Sequence, residues 1–130
     1  MKQALSFGRV IPTFPVADVN TSSAYYVEKL GFEETMREGG CYAHMKRGDA
    51  VIALYRFPEL QERTGCQGFQ PPSKTRTTIF IHGIDELYDE YRAKGVNVLD
   101  PPTEVPYGKD MQILDCNGHV IEFVDFGPEQ

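Results

Sequence analysis

The sequence carries the same order of strand and helix signals twice, and this internal repeat constrains the fold more than any other feature. In each half, a strand is followed by a helix that ends at a glycine, a short strand and a two-stranded hairpin, the order βαβββ. The matching letters are YVEKLG at 26–31 with YRAKG at 91–95, and VIAL at 51–54 with VIEF at 120–123. We predict one α+β domain over residues 1–130, in which tandem βαβββ repeats form a curved mixed sheet with the helices outside.

Turn and capping residues set the predicted boundaries within this domain. Asp18 is a candidate N-cap for the first helix, and Asp85 is a candidate N-cap for the second. Residues 57–75 contain prolines and glycines without sustained periodicity, so we predict a linker loop between a first unit at 9–56 and a second unit at 76–126. The predicted strands are residues 9–16, 32–36, 41–46, 50–55, 77–81, 96–99, 110–114 and 119–124.

Charge and hydropathy exclude several classes of function. Lys and Arg number 13 against 19 Asp and Glu, which gives a formal net charge of -6. An acidic chain is a poor partner for nucleic acid, whose phosphates favour basic surfaces, but it attracts cationic ligands. No apolar run approaches the ~20 residues of a membrane span, and the first residues lack a signal-peptide pattern. We therefore expect a cytoplasmic protein that binds neither nucleic acid nor membrane.

The alternation of strand residues identifies a candidate cavity. If Ile121 packs against the helices, Glu122 faces the opposite, concave side of the sheet. The same alternation places three further residues on the cavity floor beside Glu122: Arg76, Thr78 and Phe80.

Several stretches resemble the vicinal oxygen chelate superfamily, which includes glyoxalases, extradiol dioxygenases and bleomycin-resistance proteins. The resemblance lies in the βαβββ tandem, in the first helix from Asp18 to Phe32, and in the closing segment DCNGHVIEF at 115–123. Metalloenzymes of this superfamily hold their ion on the concave face, at positions that match Ile11, Ala53, Arg76 and Glu122. Only Glu122 of these can bind a divalent cation, whereas catalytic sites usually need about three protein ligands. The resemblance, with this departure, implies neither a catalytic metal nor a cofactor.

Within this superfamily, the sequence is similar to the bleomycin-resistance branch, whose members sequester the drug without altering it chemically. The similar stretches are IPTFPVAD at 11–18, GIDELY at 83–88 and VPYGKDM at 105–111. The resemblance implies a non-catalytic binding protein for a bleomycin-like cationic glycopeptide or another small planar molecule. It also implies a homodimer whose ligand grooves lie at the subunit interface. The branch usually has Trp in the last loop, where this sequence has Tyr107.

A groove for such a drug needs flat aromatic surfaces for its heteroaromatic rings and negative potential for its cationic tail. Tyr42 and Tyr107 match aromatic wall positions of the resistance proteins, and Tyr55 and Phe57 extend that wall. Gly108 would let the loop backbone approach the ligand closely. The predicted ligand-binding residues are Tyr42, Tyr55, Phe57, Arg76, Thr78, Tyr107, Gly108 and Glu122, with no catalytic residues and no metal ligands.

The sequence leaves other interpretations open. The chain could be a lyase or isomerase that uses Glu122 as a general base, or a metalloenzyme of the same fold. The change from Trp to Tyr107 also allows a groove for some other planar or cationic compound. A strand tyrosine such as Tyr42 packs across strands more often than it binds a ligand. Arg76 could neutralise Glu122 in a structural ion pair that contributes nothing to drug affinity.

Overall fold

The computed structural model describes residues 3–71 and 73–126, and these residues form eight strands and three helices. The first unit contains β1 (Thr13–Val16), α1 (Val19–Glu28), β2 (Glu33–Glu38), β3 (Tyr42–Arg47) and β4 (Ala50–Arg56). Helix α2 (Phe57–Thr64) follows it. The second unit contains β5 (Arg76–Phe80), α3 (Ile84–Ala93), β6 (Asn97–Val105), β7 (Gly108–Leu114) and β8 (Val120–Asp125).

The strands form two four-stranded mixed sheets with the same topology. Sheet A has the order β1-β4-β3-β2 and sheet B has the order β5-β8-β7-β6. The three strands that follow each helix pair antiparallel, whereas the strand before the helix pairs parallel with the last strand. The α+β class and the tandem βαβββ repeat are therefore confirmed. The strands are divided between two sheets where the sequence prediction has one curved sheet.

Two matched tyrosines of the repeat join the halves. Tyr26 and Tyr91 are fully buried on α1 and α3. The Tyr26 hydroxyl donates to Oδ2 of Asp115 (2.7 Å), and the Tyr91 hydroxyl donates to the carbonyl oxygen of Leu30 (2.9 Å). Burial raises the pKa of both phenols, so both remain neutral donors. Each helix thus contacts the opposite unit, and the two units share one hydrophobic core.

His119 makes a further connection between the units. Its ring is fully buried, and the Thr75 N–H donates to its Nδ1 (2.9 Å). The ring proton therefore lies on Nε2, which donates to the carbonyl oxygen of Pro15 in β1 (2.6 Å). The Asp115 carboxylate accepts the backbone N–H groups of Asn117 and His119, which closes the hairpin between β7 and β8.

The two long helices of the repeat begin in different ways. The Asp18 carboxylate accepts backbone N–H groups two and three residues later, as predicted for an N-cap. The prediction that Asp85 caps the second helix is wrong, because α3 begins one residue earlier, at Ile84. The N–H groups of Gly83 and Ile84 instead donate to Oδ2 of Asp125, at 2.9 and 3.2 Å. A carboxylate at the end of β8 therefore caps this helix.

Three boundaries differ by more than two residues from the sequence predictions. Part of the segment 57–75, predicted as a linker loop, is helix α2, which ends at Thr64 and is capped by Gly65 with a φ of 74°. Strand β6 continues to Val105 instead of ending at Leu99. It is an edge strand with register shifts on both sides of Asp100, and such positions tolerate the prolines that follow. Strand β1 begins only at Thr13.

Residues 3–12 lie outside the helices and strands. Three large apolar side chains in this N-terminal arm are exposed: Leu5 at 90%, Phe7 at 95% and Val10 at 89%. Among the described residues, no helix is long and apolar enough to cross a membrane.

Candidate functional site

The face of sheet A opposite the core carries a group of three rings. Tyr42 and Tyr55 are cross-strand neighbours in β3 and β4, with ring centroids 4.9 Å apart and ring planes at 74°. The His44 ring lies 5.1 Å from the Tyr42 ring at 61°, and a hydrogen bond of 2.7 Å joins its Nε2 to the Tyr42 hydroxyl. Burial and the neighbouring Tyr55 and Glu38 raise the pKa of Tyr42, so its hydroxyl stays neutral. All three rings are half-buried and inclined to one another.

Phe57 lies beyond this group, as the first residue of α2 directly after β4. Its side chain is half-buried. An ion pair between Arg56 and Glu59 (2.6 Å) lies at the start of the same helix. Among the described residues, Phe57 makes no ring contact with Tyr42 or Tyr55.

Polar side chains occupy the corresponding face of sheet B. Thr78 pairs with Glu122 across β5 and β8, and its hydroxyl donates to Oε1 of that carboxylate (2.9 Å). Nη2 of Arg76 lies 3.2 Å from the same oxygen and 3.3 Å from Oε1 of Gln112. Arg76 is largely exposed, whereas Glu122 is buried. The ion pair considered from the sequence is therefore present.

A second carboxyl group lies against Glu122. Asp110 is buried and hydrogen-bonded to Glu122, and burial together with this hydrogen bond raises the pKa of Asp110. Burial also acts to raise the pKa of Glu122. The hydrogen bonds from Thr78 and Asp110 and the charge of Arg76 outweigh this effect and lower the pKa. Asp110 therefore holds its proton more firmly than an ordinary carboxyl, while Glu122 carries the negative charge.

The turn between β6 and β7 carries the remaining predicted residues. The half-exposed ring of Tyr107 lies 5.9 Å from Phe126, whose ring lies 5.0 Å from that of Phe80. Gly108 has a φ of 140°, and a Cβ there would collide with the carbonyl oxygen of Asp125. The close approach of two backbone segments thus requires glycine at this position, whether or not a ligand is present.

The residues at the matched metal positions do not form a suitable donor set. Ile11 lies before β1, and Ala53 offers no donor atom. Arg76 places a positive charge beside Glu122, the one carboxylate in the set. Within residues 3–71 and 73–126, no three His, Cys, Asp or Glu side chains are grouped to hold an ion. These side chains do not fit a catalytic divalent metal.

The predicted ligand-binding residues fall into separate groups. Tyr42 and Tyr55 lie on sheet A, whereas Arg76, Thr78 and Glu122 lie on sheet B. No hydrogen bond, ion pair or ring contact in the described part of the chain joins the two groups. Sequence reasoning missed two members of these groups: His44 and Asp110. Both follow from alternation, since each lies two residues from another residue on the same open face.

A cavity of about 450 Å³ lies elsewhere, between the two units. The turn after β3, the end of β5 and helix α3 form its walls. The ion pair between Arg47 and Glu90 (2.8 Å) lies at its border. None of the eight predicted ligand-binding residues lines it, although Phe80, which was predicted on the cavity floor beside Glu122, does.

Comparison with known families identifies the class of protein. The model of the Glyoxalase/Bleomycin resistance protein/Dioxygenase superfamily matches residues 8–123, and the chain belongs to this superfamily. Its relatives include a bleomycin resistance protein of Geobacillus stearothermophilus, which is 28% identical over 126 residues. That match covers 87% of this chain and 92% of the relative. The resemblance seen in the sequence, including its relation to bleomycin resistance proteins, is confirmed.

Solved structures show that this fold serves both binding and catalysis. The bleomycin-binding protein of Streptomyces verticillus, solved with copper(II)-bleomycin, matches with a TM-score of 0.70 and 21% identity, over 94% of this chain and 98% of that chain. Lactoylglutathione lyase of Agrobacterium tumefaciens matches with a TM-score of 0.70 and 16% identity, over 90% and 92% of the two chains. These matches establish the fold, so function has to be argued from the side chains.

Proposed function

We propose that the protein binds bleomycin-type antibiotics and sequesters them, without catalysis and without a metal of its own. The observation that carries this proposal is that three of the four matched metal positions lack a suitable ligand, while aromatic residues occur at the matched wall positions. Only Glu122 keeps a donor atom among the four matched positions, while Tyr42 and Tyr55 form a ring cluster on an open sheet face. The similarity to bleomycin resistance proteins supports the class of ligand.

The aromatic and acidic character of the chain suits such a ligand. Bleomycin-type drugs combine a flat bithiazole with a cationic tail. Tyr42 and Tyr107 supply ring surfaces, and each aromatic contact contributes about 0.5–1.5 kcal/mol beyond the area it buries. The net charge of -6 favours association with a cation, mainly through the association rate.

The environment of Glu122 supports a metal-independent role. A divalent ion at Oε1 of this carboxylate would compete with Arg76 and Thr78, which both contact that oxygen. It would then lack further protein ligands from the matched positions. A drug that brings its own metal ion needs no such ligands, because it chelates that ion itself.

We further propose that two copies complete the binding site as a homodimer. The aromatic and the polar groups lie on separate sheets, so a groove with both characters could combine one face from each copy. The exposed side chains of Leu5, Phe7 and Val10 supply apolar surface that association would cover. Analytical ultracentrifugation should give twice the 14.7 kDa chain mass. A monomer that binds drug at full affinity would contradict this part of the proposal.

Titration with bleomycin while following tyrosine fluorescence tests the binding function directly, since the chain has no Trp. We expect a saturable change that chelator treatment of the protein leaves intact, and recovered drug of unchanged mass. Tyr42→Leu and Tyr107→Ala should each weaken binding about 2- to 10-fold. Tyr88→Leu is the matched control, because Tyr88 lies on α3 beside Arg92. Absence of saturation, or equal binding by all variants, would refute the proposed function.

One observation supports an enzymatic alternative. The adjacent carboxyl groups of Asp110 and Glu122 have pKa values shifted in opposite directions, which is typical of an acid and base pair. Such a pair could move a proton in a lyase or isomerase reaction. Turnover of a hemithioacetal that Glu122→Gln abolishes would favour this function over sequestration, as would altered drug mass.

A further inference from the structure

We propose that the cavity between the two units binds an arylalkylamine, that is, a small molecule in which an aromatic ring carries a protonated amine on a short chain. This site goes beyond the proposed function, because none of the eight residues predicted to bind the drug lines the cavity. The volume of about 450 Å³ lies within the range of about 300–1,000 Å³ that is usual for small-molecule sites.

The internal repeat explains why the cavity exists. The repeat matches Val120 with Val51, so the residues that precede them, His119 and Ala50, occupy equivalent positions. The buried ring of His119 packs against β1, with its centroid 4.8 Å from that of Phe14. Ala50 has only a methyl group and lines the cavity. A space that a ring fills in one half of the molecule is therefore open in the other half.

The strands beneath these two positions differ in the same way. Phe14 and Val16 of β1 are 0% and 1% exposed. Their counterparts in the second unit, Ile79 and Ile81, are only partly buried, although both pack against the core. Both line the cavity, together with Leu87 of α3. These side chains form an apolar surface on which an aromatic ring would bury area, as the His119 ring does on β1.

Charge at the border of the cavity favours a cationic ligand. Arg47 and Glu90 neutralise each other through two hydrogen bonds of 2.8 and 2.9 Å. Two further carboxylates, Asp49 and Glu86, line the cavity, and neither forms an ion pair within the described part of the chain. The lining therefore carries a net charge of about -2 while His82 is neutral. A protonated amine complements this charge, whereas a carboxylic acid does not.

A backbone acceptor at the cavity suits an N–H donor. In the first half, Nε2 of His119 donates to the carbonyl oxygen of Pro15 (2.6 Å), on the edge strand of sheet A. The counterpart of Pro15 is Phe80, which lies on the edge strand of sheet B and lines the cavity. The ammonium group of a ligand would donate to this carbonyl oxygen as the imidazole N–H does in the other half.

Titration with 2-phenylethylamine tests the site, with the Cδ1 methyl signals of Ile79 and Ile81 followed by NMR. We expect saturable shifts of both signals, because an aromatic ring would lie against these methyl groups. The neutral analogue 2-phenylethanol should bind about 3- to 10-fold more weakly, and the anion 3-phenylpropanoate more weakly still. The methyl signal of Ile52, buried in sheet A, is the control. Equal affinity for amine and alcohol, equal shifts of all three isoleucines or no saturation would each overturn the proposal.

A cavity-filling substitution locates the binding. Ala50→Phe places a ring where the other half has that of His119, and it should abolish the shifts caused by the amine. Ala24→Phe, on the exposed side of α1, should leave them unchanged. Urea unfolding shows whether each variant is folded as the parent is. Full amine binding by a folded Ala50→Phe variant would contradict the assignment.

Removal of one carboxylate tests the charge without changing the shape of the cavity. Glu86→Gln should weaken binding of the amine about 2- to 5-fold and leave binding of 2-phenylethanol unchanged. Asp89→Asn is the matched control, because Asp89 is exposed on the same helix and does not line the cavity. An equal loss in both variants would reduce the effect to general attraction of cations and refute a specific site.

The same variants separate this site from the proposed drug site. Bleomycin should bind Ala50→Phe as it binds the parent, because the predicted drug-binding residues lie outside the cavity. Loss of bleomycin binding by this folded variant would overturn a separate amine site. If the amine binds the parent and bleomycin does not, the amine site stands and the proposed function is refuted.

Discussion

The open faces of sheets A and B differ far more than the buried layers behind them. The repeat aligns Ile52 of β4 with Ile121 of β8, and both side chains are buried. On the open face, the register pairs Tyr42 with Tyr55 in sheet A, whereas the equivalent pair in sheet B is Asp110 with Val124. One unit thus presents rings where the other presents a carboxyl group.

The neighbouring pair shows the same divergence. His44 lies opposite Ala53 in sheet A, and Gln112 lies opposite Glu122 in sheet B. The residue on the flanking strand is a threonine in both units, Thr13 or Thr78. The two units have therefore kept what the core and the strand pairing require, and have diversified the surface that does not hold the fold. Because the buried layers are alike and the open faces differ, the open faces are the candidate functional surfaces.

Substitution of the shared buried layer should have the largest effect, and a similar one in both units. Ile52→Ala and Ile121→Ala each leave a cavity in one common core, so each should lower the free energy of unfolding by about 2–5 kcal/mol. Urea unfolding followed by circular dichroism measures both. Val27→Ala, on the exposed side of α1, should cost less than about 0.5 kcal/mol. Two separate transitions in either core variant would contradict a shared core.

Alanine substitution at two equivalent glycines should lower the free energy of unfolding by different amounts in the two units. Gly108→Ala introduces a Cβ that meets the backbone of Asp125 and strains a φ of 140°, which costs roughly 1–3 kcal/mol from the backbone alone. Gly40 precedes β3 at the equivalent place in the first unit, and a Cβ there meets nothing within 4 Å. Gly40→Ala should therefore be nearly neutral in the same unfolding experiment. Equal losses would show that the β6–β7 turn can relax.

The sequence predicts the topology of this chain well because the repeat and the strand periodicity are local signals. The prediction fails where residues distant in the sequence determine the start of a helix. The start of α3 depends on Asp125, about forty residues away, and no local signal marks that carboxylate as a cap. Helix α2 is short and carries a proline in its first turn, so its composition resembles a loop.

Prediction of the candidate site from local sequence signals meets the same limit. Alternation along a strand correctly separates Glu122 from the core, and it would also have selected His44. It cannot indicate that Tyr42 and Glu122 lie on different sheets, because the division of strands between sheets is set by packing of the two units. The hydrogen bond between Asp110 and Glu122 likewise joins residues of β7 and β8 that only the register brings together.

The carboxyl pair of Asp110 and Glu122 in sheet B has no equivalent in sheet A. Its effect on the free energy of unfolding should be smaller than the effects of the core and glycine substitutions. The folded-state pKa of Asp110 is raised, so above the ordinary value of 3.8 the unfolded chain loses a proton that the folded chain retains. The free energy of unfolding therefore falls as pH rises from about 4 through the raised pKa. Asp110→Asn removes this fall, while its amide can still donate a hydrogen bond to Glu122.

The lowered pKa of Glu122 acts in the opposite direction, because its stabilisation is present above the ordinary value of 4.5 and is lost as pH falls through the folded-state pKa. Glu122 is present in both proteins, and the amide of the Asp110→Asn variant can keep the hydrogen bond that helps to lower the pKa of Glu122, so the comparison with the parent protein reports mainly the first effect. The free energy of unfolding should be measured for both proteins across the acidic range. The value for the variant should exceed that of the parent by a margin that grows from about pH 4 and then becomes constant. Asp49→Asn, in an exposed turn of the first unit, removes one charge and serves as the control. A constant difference at every pH would mean that Asp110 does not hold the shared proton, and the contrast between the two faces would then be one of side-chain shape alone.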